Sequence, residues 1–405
     1  MKQEQTDKYL SPNQKAVKRL FKNKPAIFGL IVIFLAIFVA IFGHIIAPDS
    51  TPNANEQVLE IATQSPNFSV QMLQKHKNRP IEKEGFLKLV ASGRQNKYQQ
   101  VPMEGYQIEG ANIIVQPFLG GAASAEKDTI SLVDVVFPLA SDANVQLLGQ
   151  KVSFIDIDGK QQTADLSFLQ KEVKENLIVK KRYLLGTDKF GRDNLSRLIL
   201  GVRVSLSVGL MAVLISLLIG VTLGSIAGYF RGRTDDFIMW LINVFWSIPL
   251  LLLVFALILT LGREFWQIYL AVGLTMWVEI ARIVRGQVLS VREKEYIEAA
   301  YSLGFNNFRI IVRHILPNIV GPVVVITAAN FASAIIIEAG LSFLGIGVQP
   351  PAPSWGTMLN EYYAYVGTSK AFLAIIPGLA ILVLVLAFNL LGNGLRDALD
   401  VKTKM

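Results

Sequence analysis

The residues best suited to metal chemistry are three histidines, and their spacing does not gather them. His44, His76 and His314 are far apart in the chain, and no His-Glu-x-x-His run is present. Such a run would place two ligands on one helical face. The chain has no cysteine, which excludes thiolate nucleophiles and zinc–thiolate sites. We therefore expect no metal site built on histidine or cysteine.

An acidic turn near the middle of the chain partly mimics a calcium-binding loop. Asp156 and Asp158 precede Gly159, but the first ligand position would be Phe154, and Asp165 stands where a bidentate glutamate belongs. An Asp-Gly pair between two alternating segments is instead a strong hairpin signal. The sequence predicts a plain turn there, without a metal ion.

The chain also lacks the residues for two other kinds of catalysis, ATP hydrolysis at a P-loop and proteolysis by an intramembrane Ser–Lys pair. No Gly-x-x-x-x-Gly-Lys-Ser/Thr run is present, so the chain has no P-loop for ATP. No lysine lies inside an apolar stretch long enough to cross a membrane, which excludes an intramembrane Ser–Lys pair. We expect a chain that is not an enzyme and that holds no cofactor of its own.

The composition is typical of a membrane protein. Of the 405 residues 52% are hydrophobic and only 17% charged, and the mean hydropathy is +0.43. The formal charge of +8 would also suit nucleic acid. We expect no nucleic-acid partner, because basic residues accumulate on the cytoplasmic loops of membrane proteins. The stretches long enough to span a bilayer are residues 26–47, 204–229, 237–261, 266–283, 319–345 and 371–391.

The distribution of basic residues predicts the orientation of these spans. Lysines and arginines are frequent before the first span, in the loops 230–236 and 284–318, and in the tail. The two short loops between them hold only Arg263 and Lys370. By the positive-inside rule, both termini are predicted to be cytoplasmic. The basic ends include Lys2 and Lys8 at the start of the chain and Lys402 and Lys404 at its end.

The predicted organisation alternates membrane and water-exposed parts. In chain order it comprises a basic cytoplasmic segment (1–25), the first span (26–47), an extracytoplasmic β-rich insertion (48–182), a pre-span segment (183–203), a five-span core (204–392) and a cytoplasmic tail (393–405).

The insertion has the alternation of strands rather than the long apolar runs of spans. Residues 152–157 and 160–166 are predicted to form a hairpin. The other predicted strands are residues 106–115 and 131–137, and the predicted helices are residues 86–92 and 169–178. Two roles stay open for this insertion: part of a docking surface for an outer partner, or a stabilising element without a role in transport.

The loop 284–318 carries the pattern of two short amphipathic helices. Its apolar positions at helical spacing are Tyr296, Ile297, Ala300 and Leu303 in the first helix and Phe308, Ile311, Val312 and Ile315 in the second. Gly304 stands where a C-cap glycine belongs, and Asn306 or Asn307 can cap the second helix. Pro317 is expected to end that helix.

Two interpretations of this helix pair stay open. It can lie flat on anionic lipid, or it can dock into a groove of another protein. Glu293, Glu295 and Glu298 favour docking because an anionic surface would repel them. The adjacent small residues Ala299 and Ala300 also suit close contact with a partner.

The same loop resembles the EAA loop of ABC importer permeases. Glu298-Ala-Ala-x-x-x-Gly304 is followed, nine residues on, by His314-Ile-Leu-Pro317, with histidine where the family usually has an aliphatic residue. Three further segments resemble the C-type permease of the peptide/nickel branch. They are Leu185-Gly-Thr-Asp-x-x-Gly-Arg-Asp-x-x-Ser-Arg-Leu198, the run from Glu338 to Gly356, and the segments Pro377-Gly378 and Asn389 to Asp400. The resemblance covers residues 15–47 and 183–400 and leaves out residues 50–180.

This resemblance implies a mainly helical, six-span permease that forms half of a two-permease pore. Its implied partners are a second homologous permease, two ATPase subunits that bind ATP and Mg²⁺, an extracytoplasmic solute-binding protein and membrane lipid. The residues implied to couple the chain to the ATPases are Glu298, Ala299, Ala300, Gly304, Arg309, Arg313, Leu316 and Pro317. The candidates for the solute pathway or its gate are Glu338, Ser342, Phe343 and Trp355.

A few polar residues and one glycine pattern stand inside the spans. Glu338 and Glu279 are each open between a pathway role and a structural hydrogen bond, with the structural role favoured for Glu279. Asn243, Asn330 and Asn389 are predicted to bond helix to helix. The triplet Gly220, Gly224 and Gly228 predicts a smooth face for close helix packing.

The solute follows only from the resemblance, which implies oligopeptides or dipeptides and leaves nickel chelates open. A membrane-anchored scaffold or sensor is the alternative from another class of protein. The 284–318 loop argues against it, because a sensor has no need of an ATPase-docking element.

Overall fold

The computed structural model describes residues 12–80, 85–120, 126–140, 145–262 and 264–400. Several basic residues used for the orientation lie outside these ranges: Lys2, Lys8, Arg263, Lys402 and Lys404. The chain divides into two compact units, residues 41–200 and residues 1–40 with 201–405.

Helices make up the chain before and after the insertion. They are α1 (Pro12–Leu20), α2 (Lys24–Ile46), α6 (Asn194–Phe230), α7 (Gly232–Trp246), α8 (Leu250–Leu261), α9 (Phe265–Arg292), α10 (Glu295–Ser302), α11 (Asn307–Ile310), α12 (Leu316–Phe343), α13 (Trp355–Tyr362) and α14 (Phe372–Leu399). A single π-helical turn, Ile311–Ile315, joins α11 to α12.

Five of the six predicted spans correspond to continuous helices of sufficient length and hydropathy, namely α2, α6, α9, the run from α11 through α12, and α14. The third predicted span, residues 237–261, is not continuous. It is divided into α7 and α8, which are bent by 90° at the break around Pro249. Proline lacks the N–H that would continue the helix, which explains the position of the break.

The glycine triplet of α6 packs against α9, as predicted. A Cβ placed on Gly220 would lie 2.7 Å from Cβ of Ile280, and one on Gly228 would lie 2.8 Å from Cβ of Val288. Larger side chains at these positions would force the two helices apart. The close approach buries one face of α9 within the unit of residues 1–40 and 201–405, here called the membrane unit.

The unit of residues 41–200 contains two antiparallel sheets. Its strands are β1 (Phe68–His76), β2 (Tyr98–Glu109), β3 (Asn112–Pro117), β4 (Asp128–Ser131), β5 (Gln146–Leu148), β6 (Lys151–Ile155), β7 (Gln161–Asp165) and β8 (Ile178–Tyr183). The larger sheet has the order β4-β3-β2-β1-β8 and the smaller one β5-β6-β7. The helices of this unit are α3 (Phe86–Ser92), α4 (Leu132–Val136) and α5 (Leu166–Glu172), with a π-helical segment, Val173–Leu177, after α5.

Some of the predicted elements of this unit are present and others were wrong. The hairpin on either side of Gly159 is formed by β6 and β7, and helices occur near residues 86–92 and 169–178. The predicted strand 106–115 is instead a hairpin of β2 and β3 that turns at Gly110. The predicted strand 131–137 is mostly α4, whose Leu132, Val133 and Val135 are all buried. A short apolar run does not distinguish a buried strand from a buried helical turn.

The Asp156 carboxylate is occupied by its own turn. Its oxygens accept hydrogen bonds from the backbone N–H groups of Asp158 (3.0 Å) and Lys160 (2.9 Å) and from Nε2 of Gln162 (2.5 Å). The backbone hydrogen bond from Lys160 is the main cause that holds the pKa of Asp156 below its ordinary value. The acidic residue therefore stabilises the turn.

The segment before α6 forms a buried network of hydrogen bonds between polar residues. Oδ2 of Asp188 accepts a hydrogen bond from Nε of Arg192 at 2.5 Å, and its Oδ1 accepts the backbone N–H of Phe190 at 2.8 Å. Asp193 caps the start of α6 by accepting the backbone N–H of Ser196 at 2.9 Å. These residues belong to the 185–198 segment singled out in the sequence, and they stabilise the entry into the second span.

Candidate functional site

The helical pair α10 and α11, here called the α10–α11 hairpin, is joined by a Schellman motif. Phe305 N–H donates to the carbonyl of Ala300 (3.2 Å), and Gly304 N–H donates to that of Tyr301 (2.9 Å). Gly304 has φ +79°, the left-handed conformation that this motif requires. Asn306 caps α11 by accepting the backbone N–H of Arg309 at 2.8 Å. Both capping predictions are confirmed.

One face of the hairpin packs on the rest of the membrane unit. Ile297, Ala300, Ile310 and Ile315 are buried in a cluster with residues of α6, α9 and α12. Ala300 therefore contributes to the packing of the hairpin on its own chain. The buried face fixes the hairpin to the ends of three spans.

The opposite face carries a ridge of exposed apolar side chains. Tyr301, Leu303 and Phe308 are 69%, 73% and 75% exposed, and Tyr296 and Val312 are also exposed. The structure divides the two predicted stripes, because Ile297, Ala300 and Ile315 are buried whereas Tyr296, Leu303, Phe308 and Val312 are exposed. Each of the two short helices has apolar residues both on the face packed against the chain and on the exposed face. Helical spacing alone does not distinguish these two faces.

Charged residues flank this ridge. The coupling candidates Glu298, Ala299, Arg309 and Arg313 are exposed. Within the described ranges, the Glu298 carboxylate has no ion pair or side-chain hydrogen bond. By contrast, the nearby Glu293 pairs with Arg231 at 2.7 Å. Glu298 is therefore available to a partner.

The connection from the hairpin to α12 departs from the prediction that Pro317 ends a helix. Helical backbone continues from Asn307 to Phe343 through the π turn, in which Leu316 N–H donates to the carbonyl of Ile311. Pro317 lies in the first turn of α12, where its missing N–H is tolerated. Leu316 is half-buried and Pro317 exposed. Continuous helical backbone therefore joins the hairpin to the span.

A second group of candidates forms a buried cluster around Glu338, which is fully buried on α12. Its Oε1 accepts a hydrogen bond from Oγ of Ser342 at 2.8 Å, and its Oε2 accepts one from Oγ of Ser205 on α6 at 3.3 Å. Ser354, just before α13, also contacts the carboxylate. We call Glu338, Ser205, Ser342 and Ser354 the Glu338 cluster.

The cluster places most of the pathway candidates inside the protein. Trp355 is 4% exposed, and its ring lies close to Gly201, where an added Cβ would be 2.8 Å from Trp355 Cδ1. A side chain that lines a pathway between two subunits must be exposed on the isolated subunit. Glu338, Ser342 and Trp355 do not meet this condition, whereas Phe343 does at 41% exposure.

The other polar residues of the spans also differ from expectation. Glu279, Asn243 and Asn389 are exposed, and Nδ2 of the buried Asn330 has no hydrogen-bond partner within the described ranges. In that part of the chain, no side-chain hydrogen bond joins any of these three asparagines to another helix. The predicted helix-to-helix bonds are therefore not formed there.

Comparison with known proteins gives two family matches. Residues 220–405 match the family described as "Binding-protein-dependent transport system inner membrane component". Residues 11–66 match the "N-terminal TM domain of oligopeptide transport permease C". The two matches lie on either side of most of the insertion.

Three curated proteins are each similar over a little more than half of the chain. A glutathione transport system permease protein of Pectobacterium atrosepticum is 45% identical over 54% of this chain and 73% of its own length. For a dipeptide transport system permease protein of Bacillus subtilis, the identity is 41% over 58% of this chain and 73% of that protein. An oligopeptide transport system permease protein of the same organism is 40% identical over 55% of this chain and 73% of its length.

Proposed function

The chain belongs to the peptide-type ABC transporter permeases, as a C component, and we propose that it forms one half of a solute pathway with a second permease subunit. It is a multi-pass protein of the inner membrane. Members of this family are not catalytic, and they work with ATPase subunits and a solute-binding protein. We expect this chain to have the same kinds of partner and to hold no cofactor itself.

The proposed solute is a short peptide. The similar proteins are named as permeases for dipeptides, oligopeptides and glutathione, all of which have peptide bonds and charged ends. The polar groups of such a solute must be shielded from lipid while it crosses the bilayer. This requires a pathway built between helices.

The observation that carries the coupling role is the exposed face of the α10–α11 hairpin. Tyr301, Leu303 and Phe308 are more than two-thirds exposed, although the opposite face of the same hairpin is fully packed. A cluster of large apolar side chains with this much solvent exposure is typical of a surface that binds another protein. The free carboxylate of Glu298 adds a charged group at its edge. We propose that this surface docks on an ATPase subunit.

The proposed orientation follows from the basic residues. Arg231, Arg309 and Arg313 are exposed at the hairpin end of the spans. By the positive-inside rule, these arginines support a cytoplasmic location of that end. In this proposal the ATPases meet the hairpin on the cytoplasmic side, and the insertion is extracytoplasmic. In this scheme ATP-driven movement of the hairpin is passed to α12, because the two are joined by continuous helix.

The test is transport by the assembled complex. The chain, its second permease, the ATPase subunits and the solute-binding protein are reconstituted in liposomes, and ATP-dependent uptake of a radiolabelled dipeptide, glutathione and a nickel chelate is compared. We expect uptake of peptides that requires both ATP and the binding protein. Uptake of the nickel chelate alone would contradict the peptide assignment, and uptake without ATP would contradict the coupling role.

A further inference from the structure

From Ala271 to its end, the span α9 has one narrow exposed face, and all of it is polar or glycine. Between residues 271 and 292 the exposed positions are Glu279, Arg282, Gly286 and Ser290. Their spacing of three, four and four residues places them on one side of a helix. We call these four residues the polar stripe. The rest of this stretch is wholly or partly buried.

The charged end of the stripe lies beside the bent span. The guanidinium of Arg282 lies 4.3 Å from the ring centroid of Trp246, the last residue of α7. Trp246 is itself 52% exposed. Within the described ranges, Glu279 and Arg282 form no ion pair with each other or with any other residue. Two opposite charges are thus presented side by side and unpaired.

The charged residues of the stripe lie within the thickness of a bilayer. At 1.5 Å per residue, Glu279 is about 21 Å and Arg282 about 26 Å along α9 from Phe265, compared with a hydrocarbon core about 30 Å thick. Glu279 is then about 9 Å and Arg282 about 4 Å from the inner edge of that core. Arginine can reach water from there, but a glutamate at its depth is costly in lipid and is normally directed toward water or protein. Gly286 and Ser290 follow toward the cytoplasmic end.

Two contrasts argue that the stripe does not face lipid. Beyond its first turn, the exposed residues of α2 are apolar and large, such as Phe34 at 70% exposure, as expected for a lipid-facing span. The break between α7 and α8 leaves Ser247, Ile248 and Pro249 exposed. Irregular backbone at membrane depth is tolerated only inside protein or along a water-filled cavity. The Trp246–Arg282 contact places the break and the stripe on the same surface.

We propose that this surface faces the solute pathway and that Arg282 and Glu279 bind the charged ends of a zwitterionic solute. This inference rests on the proposed permease function. Arginine offers a planar fork of N–H groups that matches a carboxylate, and Trp246 holds that fork in place. Glu279, one turn away, is placed to accept an ammonium group. At Gly286 an added Cβ would meet no atom within 4 Å. The surface next to the proposed site is therefore free of side chains that would block a solute.

The absence of native cysteine permits a direct test of water access. Single Glu279→Cys, Gly286→Cys and Ser290→Cys variants of the complete transporter are treated with a charged methanethiosulfonate reagent. Phe34→Cys serves as the lipid-facing control and Thr275→Cys as the buried one. We expect the stripe positions to react at least about tenfold faster than either control, because the reactive thiolate forms in water and not in an apolar environment. Peptide together with the binding protein should slow the reaction.

Two other labelling results would overturn the proposal. Stripe cysteines that react as slowly as Phe34→Cys would place the stripe against lipid. Stripe cysteines that resist the reagent but cross-link to the second permease would place it in a closed subunit contact.

The charges are tested with modified solutes. Arg282→Gln should lower uptake of a peptide with a free carboxylate by about tenfold or more, whereas uptake of its C-terminal amide should change little. Glu279→Gln should discriminate in the same way between a free and an acetylated amino terminus. Binding-protein affinity for each solute is measured in parallel. Equal losses for all solutes would contradict the assigned roles.

The outcome for the polar stripe can be distinguished from the outcome for the proposed permease function. If the unmodified complex transports peptides but the stripe variants behave like it, the site is wrong and the function stands. If the stripe is reactive toward the reagent but no peptide is transported, the pathway face stands and the solute class is wrong.

Discussion

Ser205 of α6 donates a hydrogen bond from its hydroxyl to Oε2 of Glu338 on α12, over 3.3 Å, with both side chains fully buried. Ser342, on α12 itself, donates a hydrogen bond to the other carboxylate oxygen, and Ser354 in the loop after α12 also contacts the carboxylate. One acidic side chain therefore connects two spans and that loop. Val348 N–H in turn donates to Oγ of Ser342 at 3.2 Å. The arrangement is that of a structural contact, and it leaves no part of the Glu338 side chain on the surface of the subunit.

The first prediction concerns this cluster. Glu338→Leu should lower the thermal stability of the purified permease in detergent, because each serine hydroxyl left without a partner costs about 1–3 kcal/mol. Glu338→Gln, which keeps one acceptor oxygen, should be destabilised less. Uptake should fall only as far as the amount of folded protein falls. A Glu338→Gln protein of normal stability and abundance that has lost uptake would instead indicate a direct role in transport.

The second prediction concerns Gly304, where the backbone has φ +79° and the space around the α-carbon is open. The strain of a substitution is therefore purely conformational. Gly304→Val should place about 1–2 kcal/mol or more of strain in the hairpin and abolish coupled uptake. Gly304→Asn is the matched control, because asparagine adopts this conformation more readily. Equal uptake by both variants, at equal abundance in the membrane, would show that the cap is not needed for coupling.

The sequence predicted the spans and both caps of the hairpin, because hydropathy and capping depend on local residue order. Gly304 and Asn306 are examples, since each is determined by neighbours within a few positions. The break at Pro249 was missed because residues 237–261 are almost entirely apolar, and hydropathy carries no information on the direction of the helix axis. A proline in the middle of a span was the available signal.

The pathway residues were harder to predict, because exposure depends on contacts between distant segments. Glu338 and Glu279 are both acids inside spans, and their sequence contexts do not tell which one is buried. The structure separates them through Ser205, which lies more than a hundred residues from Glu338. The exposed ridge of Tyr301, Leu303 and Phe308 likewise depends on which hairpin face meets α9.

The third prediction concerns the charge at the edge of the hairpin. The purified chain should hydrolyse no ATP, and Glu298→Lys in the assembled complex should lower the ATPase activity that the loaded binding protein stimulates. The reason is that a positive charge replaces a free carboxylate at the proposed contact. Glu298→Gln, which removes the charge but keeps the size of the side chain, is the matched control and should lower the rate less. Hydrolysis by the isolated chain would contradict the assignment, as would equal rates for the two variants.

The last prediction concerns the insertion, whose two apolar clusters can be separated. One cluster, which includes Val58, Ile61 and Tyr183, lies where the first half of β1 pairs with β8. The other cluster is formed by residues of the rest of the larger sheet, of β6 in the smaller sheet, and of α4 and α5. Leu73 is paired with Ile178, so a short Gly/Ser linker in place of residues 75–177 can close the chain between adjacent strands. This replacement keeps most of the first cluster and removes most of the second.

The shortened chain should still enter the membrane and bind the ATPase subunits, because the spans and the α10–α11 hairpin are unchanged. If the removed part belongs to the docking surface for the solute-binding protein, stimulation of ATP hydrolysis by the loaded binding protein should fall while the unstimulated rate is retained. Both rates are measured on the same reconstituted complex, with ATPase content determined from the purified sample. Unchanged stimulation and uptake would assign the removed sheet a stabilising role only, since the signal of a loaded binding protein would then reach the spans without it.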